Sequence, residues 1–136
     1  MANYYASART NYFKVKDPKA FKQWVDTLPD VAADFRKKDG KYVLLAEGEY
    51  GWTTERYNED VEDYEAVNLE EEIVPHLAEG EVVILQEIGA EKLRYLHGYS
   101  VAVAWTGETI RVDINDVYQL ATEKFVGCNE ITQALY

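Results

Sequence analysis

Between Glu47 and Glu81 the chain places thirteen carboxylates against one cation, Arg56. Charge of one sign at that density has to stay in water, so the acidic side chains of this segment belong on the surface. The rest of the chain sharpens the asymmetry. Residues 1–45 carry nine Lys/Arg against five Asp/Glu, a net of +4, whereas residues 46–136 carry five against twenty, a net of −15. A field of one sign attracts cationic partners and repels nucleic acid.

The remaining composition fits a folded chain. Its 136 residues suit one domain, read here as residues 1–126 with a C-terminal tail over 127–136. At 47% hydrophobic residues, the net charge of −11 does not impose disorder. Cys128 is the single cysteine, so no internal disulfide framework is expected. Met1-Ala2-Asn3-Tyr4-Tyr5 lacks a basic segment followed by an apolar stretch, and no apolar run approaches the ~20 residues of a membrane span. The expected compartment is the cytoplasm.

Local signals give the elements. Tyr4 to Val15 alternates loosely and reads as a strand. Asp17-Pro18 starts a helix, with Asp as N-cap and Pro at the first helical position. Ala20, Phe21, Trp24, Val25 and Leu28 follow on one face until Pro29. Strands are expected at Val31–Arg36 and Tyr42–Ala46 around an Asp39-Gly40 turn. Gly48 to Gly51 reads as a turn, Trp52–Tyr57 as a strand and Asn58–Glu65 as a polar acidic loop. Asn68 caps a helix over Leu69–Leu77, with Glu70, Glu71 and Glu72 at its positive end. Val82–Ile88, Leu93–Trp105 and Thr109–Ile114 are strands, the last two joined at Thr106-Gly107-Glu108. Asn115 or Asp116 caps a final helix with Val117, Leu120, Ala121 and Phe125 on its apolar face. The expected fold is an α+β single domain, a mainly antiparallel sheet with about three helices packed on it.

Catalytic and metal patterns are missing. His76, His97 and Cys128 have no zinc spacing. Glu72 and His76 lie four apart on one expected helix face, a spacing that more often marks an exposed pair than a metal site. The carboxylates Glu59, Asp60, Glu62, Asp63 and Glu65 lack the residue order of a calcium loop. Ser7 and Ser100 sit in no Gly-x-Ser-x-Gly, and Gly-rich phosphate loops do not occur. No catalytic residue, metal or cofactor is therefore expected.

Binding through the acidic segment is the reading that remains. Glu47, Glu49, Glu59, Asp60, Glu62, Asp63 and Glu65 supply charge, and Tyr50, Trp52, Tyr57 and Tyr64 are interleaved as anchors. Alternate carboxylates on a strand stand ~6.6 Å apart, as expected for Glu47 and Glu49, against ~3.4 Å per phosphate on one DNA strand. Rows of that kind imitate a nucleic-acid backbone. The expected partner is a basic, nucleic-acid-handling protein, with no direct contact to nucleic acid or membrane. Two other readings stand beside it. One is a structural or oligomerising domain whose acid serves solubility. The other is a ligand-binding protein or enzyme with a pocket of Arg9, Tyr12, Arg94, Tyr95, His97 and Tyr99, which requires the first strand to pair with the 93–105 strand. Phe21, Trp24 and Phe125 are expected in the core.

The segments Ser7-Ala8-Arg9-Thr10-Asn11-Tyr12-Phe13-Lys14-Val15-Lys16-Asp17 and Gly89-Ala90-Glu91-Lys92-Leu93-Arg94-Tyr95-Leu96-His97-Gly98-Tyr99 resemble small uncharacterised acidic proteins of plasmids, phages and integrative elements. These are of the antirestriction and anti-CRISPR accessory type. The resemblance runs along most of the chain and implies an accessory role against host defence, with a nuclease or a restriction or CRISPR component as partner. It carries over no catalytic residues.

Overall fold

A computed structural model describes residues 4–92 and 94–134, without the side chain of Tyr95. Met1-Ala2-Asn3, Leu93 (expected to begin a strand) and the last two residues of the tail lie outside the described residues. Eight strands and three helices follow in the order β1 (Tyr4–Thr10), α1 (Pro18–Val25), β2 (Val31–Arg36), β3 (Lys41–Ala46), β4 (Glu55–Asn58), β5 (Asp63–Ala66), α2 (Leu69–Glu72), β6 (Val82–Glu91), β7 (Tyr95–Ala104), β8 (Thr109–Asp113) and α3 (Asp116–Lys124). Six strands form one antiparallel sheet in the order β2-β3-β1-β6-β7-β8, and β4-β5 is a separate two-stranded sheet. The protein is an α+β single domain. Among the described residues no helix is long and apolar enough to cross a membrane.

Local chemistry explains most boundaries. The Asp17 side chain accepts from the Lys19 and Ala20 N–H groups at 3.0 and 3.3 Å, which caps α1 behind Pro18. The helix ends at Val25 rather than running to Leu28; Thr27 and Leu28 close a tight turn onto Trp24 and Val25. The helix expected over Leu69–Leu77 is broken. Pro75 cannot donate to the carbonyl one turn back, so α2 stops at Glu72 and a 3₁₀ turn covers Val74–His76.

The core lies on one face of the large sheet. Alternation turns Val83 and Leu85 of β6 and Val101 and Val103 of β7 inward. Phe21 and Val25 from α1, with Ile73 and Leu77 from the 69–77 segment, close over them. Phe21 is the keystone, with its ring 5.8 Å from Phe13 and 5.2 Å from Tyr42. Burying such a ring contributes roughly 1.5–3 kcal/mol.

The first strand is shorter than its alternation suggests. β1 pairs with β6 along its whole length, then leaves the sheet after Thr10. Two side chains take over the lost ladder. Asn11 Oδ1 accepts from the Ile84 N–H at 2.8 Å, while its Nδ2 donates to the Val82 carbonyl at 3.1 Å. The buried Thr10 hydroxyl accepts from the Leu44 N–H at 2.9 Å and donates to the Asn11 carbonyl at 2.8 Å. The chain can then swing Phe13 into the core without stranding buried backbone groups.

Thr10→Val keeps the shape and removes that acceptor. Leaving one buried N–H without a partner costs about 1–3 kcal/mol, so the urea midpoint of Thr10→Val should fall accordingly. An unchanged midpoint would show the hydroxyl to be dispensable.

Candidate functional site

Within the acidic segment, residues 55–66 form a separate hairpin where a loop is expected over Asn58–Glu65. β4 and β5 pair Glu55 with Ala66, Arg56 with Glu65, Tyr57 with Tyr64 and Asn58 with Asp63. No glycine marks the turn between them. Asn58 Oδ1 instead accepts from the Asp60 N–H at 2.9 Å, and Glu62 takes the left-handed conformation at φ 53°. Alternation then separates two faces. Glu55, Tyr57, Tyr64 and Ala66 point outward and are exposed, whereas Arg56, Asn58 and Glu65 turn toward the body.

Arg56 ties this hairpin down. Its Nε donates to Glu65 Oε1 at 2.7 Å, and its Nη1 reaches Glu72 Oε1 at 2.7 Å and Thr27 Oγ1 at 3.3 Å. Glu72 Oε1 also accepts from the Trp24 indole N–H at 3.0 Å. One guanidinium thus joins the hairpin, α2 and the end of α1. Glu65 is held below the usual carboxylate range by its hydrogen bonds from Arg56 and then Asn58. Burial pushes Glu72 up, but the Trp24 and Arg56 hydrogen bonds outweigh it and leave it lowered.

The expected site residues divide accordingly. Glu59, Asp60, Glu62 and Asp63 are exposed at the hairpin tip and along its end. Tyr57 and Tyr64 are more than half exposed, with ring centroids 5.4 Å apart in edge-on contact. Glu65 is a correction, because its carboxylate is spent on Arg56 and Asn58. Trp52 is another. It is 8% exposed and sits in the core cluster, so it cannot anchor a partner at the surface. Glu47 and Glu49 are exposed but lie in the irregular segment after β3, so strand spacing does not apply to them. Tyr50, in the same segment, stacks on Tyr5 at 6.1 Å beside β1.

The Glu72 and His76 pair is also corrected. The break at Pro75 removes their common helix, and Glu72 faces Trp24 and Arg56 while His76 stacks on Trp24 at 4.9 Å. Burial lowers the His76 pKa, with Asp17 opposing.

The pocket expected from β1 pairing with the 93–105 strand does not form as such, because β6 lies between them. Arg9 and Arg36 stand over the Tyr12 ring, at 5.9 and 3.7 Å. Arg94 lies 3.9 Å from Glu91 in the β6–β7 turn. His97 and Tyr99 do meet, around Glu87, a residue that no motif singles out. Glu87 accepts from the Tyr4 hydroxyl at 2.9 Å and the Trp52 N–H at 2.9 Å, with His97 Nε2 at 3.4 Å. Gly51 permits this approach, since a Cβ there would fall 2.0 Å from Glu87 Oε1. Tyr99 is pushed up to about 12 by burial and by Glu87. Tyr4, Tyr50, Trp52, Tyr99, Glu87 and Glu70 help line a cavity of about 650 Å³ at the foot of the hairpin.

Arg56→Met should loosen the hairpin with a distinct pH signature. The lowered pKa values of Glu65 and Glu72 mean that their stabilisation is present above the ordinary glutamate range. It is lost as pH falls through the lowered folded values. In urea melts the variant should be weaker at pH ~7, and its midpoint should fall less on acidification to pH ~3. Parallel pH profiles for the two proteins would remove Arg56 from this role.

Comparison with protein-family models, curated proteins and solved structures finds no match to this chain.

Proposed function

We propose that this protein is a non-enzymatic binding module whose acidic hairpin engages a basic, nucleic-acid-handling protein and obstructs the surface that protein uses for nucleic acid. The observation that carries the reading is the joint exposure of Glu59, Asp60, Glu62 and Asp63 with the Tyr57–Tyr64 pair on one hairpin. Carboxylates speed encounter with a cationic surface, and tyrosines supply contact area and cation–π partners for Arg or Lys. Anchoring by Arg56 presents both groups on a held scaffold, which lowers the entropy lost on docking. On this proposal the partner is a nuclease or a restriction or CRISPR component, and the protein acts against host defence.

A second reading rests on the cavity at the foot of the hairpin. Its aromatic and carboxylate lining suits a small organic ligand. Saturable binding of a metabolite that is abolished by Tyr99→Ala would favour it over the hairpin.

Direct DNA binding fits poorly with the basic N-terminal stretch. Arg9 and Arg36 are engaged over Tyr12, and Arg36 also pairs with Asp39. In a titration with duplex DNA at ~50 mM salt, where phosphate attraction is strongest, no complex should form at micromolar protein. A saturable, salt-dependent shift would move the function to nucleic-acid binding.

The hairpin reading is tested by capture with the full chain as bait, followed by association kinetics on the captured protein. Replacing Glu59, Asp60, Glu62 and Asp63 with Gln and Asn should slow association at least tenfold and leave the urea midpoint nearly unchanged. Added salt should slow the native chain more than this variant, as screening requires. An on-rate indifferent to both changes would exclude steering by the hairpin.

A further inference from the structure

The geometry points to self-association of this chain through the part of its sheet over β1, β6, β7 and β8 that no helix covers, each copy laying α3 across the sheet of the other. The inference is independent of the acidic hairpin. It begins with β8, whose pattern is reversed for a sheet covered on one side only. Register with β7 sends Ile110 and Val112 to the outer face and Arg111 toward Tyr99 on the inner face, 4.2 Å from its ring. Ile88, Ile110, Val112 and Ile114 on that outer side are 43–69% exposed.

The pairing register explains why this face can receive a helix. Ser7, Ile88 and Gly98 lie in one cross-strand row, and Arg9, Gln86, Ser100 and Val112 in the next. Small residues on β1 and β7 leave a trough of about 600 Å³ with Ile88, Val112 and Ile114 among its lining. At Gly98 a Cβ would come within 2.6 Å of Ile114 Cγ2, so glycine lets Ile114 lie over β7. Across the described residues of β1, β6, β7 and β8, alternation puts one ionisable group other than tyrosine on this face, Arg9. In a chain of net charge −11 this is the surface where a second copy meets least repulsion.

The complementary surface is on the same chain. Val117 and Leu120 of α3, and Phe125 just past its end, are 56–61% exposed and do not join the core, contrary to the expectation for Phe125. Ile114 and Asn115 are the only residues between β8 and α3. That short turn is fixed by the Asp113 N–H donating to Asp116 at 2.8 Å and the Ile114 N–H donating to the Gly98 carbonyl at 2.9 Å. No residue of α3 lines the trough of its own copy. A two-fold exchange covers both apolar surfaces in both copies.

Sedimentation velocity of the full chain at ~10–100 µM tests this in ~0.15 M and ~0.5 M salt. A dimer is expected, and it should strengthen at the higher salt because screening relieves repulsion between the copies. Val112→Glu and Leu120→Glu, both at exposed positions, should each raise the dimer dissociation constant more than tenfold with an unchanged far-UV circular dichroism spectrum. The Gln/Asn variant of the hairpin tip should dimerise like the native chain. A monomer under all these conditions would overturn the proposal. So would a dimer that resists either charged variant.

Discussion

A six-stranded sheet has two faces, and α1 together with the 69–77 segment covers one of them. Every large core side chain answers to that geometry. α1 and the 69–77 segment bring Phe21, Val25, Ile73 and Leu77 onto the inward residues of β6 and β7. Phe13 can join them because β1 abandons the sheet after Thr10, with Thr10 and Asn11 side chains replacing the lost ladder bonds. Alternation then fixes what stays outside. The same register that buries Val101 and Val103 leaves Ile110 and Val112 facing solvent.

The acidic segment imposes a different constraint. Its one cation, Arg56, stands where three elements meet and neutralises the carboxylates nearest the body, Glu65 and Glu72. The carboxylates at the hairpin tip are exposed and remain unpaired with any cation among the described residues. Charge is thereby sorted by position. Acid close to the core is paired and hydrogen-bonded, whereas acid far from it is left to water and to any cationic surface that approaches. Beneath the hairpin, Glu87 gathers Tyr4, Trp52 and His97 from distant parts of the chain into one part-buried polar cluster.

Local signals fixed much of this in advance. Asp17-Pro18 set the start of α1, the Asp39-Gly40 pair set the β2–β3 connection, and Asn68 capped α2. The α+β class and the mainly antiparallel sheet followed from alternation and turn chemistry. The exposed tyrosines and tip carboxylates were legible too, since dense charge has nowhere else to go. The β4–β5 hairpin was not, because its turn uses an Asn58 side-chain bond and a left-handed Glu62 in place of a glycine.

What the sequence by itself determined, then, were the short-range choices: where helices begin, where the chain turns, and which run of carboxylates must remain in water. Those depend on interactions within a few residues or on a solvation cost that holds in any fold. Tertiary structure decided the rest. The position of β6 between β1 and β7 keeps the first strand from pairing with the strand of His97 and Tyr99. Trp52 became core rather than anchor, Glu65 became a strut, and Glu87 became a hub. Each of these outcomes rests on contacts between segments far apart in the chain. Their free energy comes from joint burial and pairing, which no local pattern records.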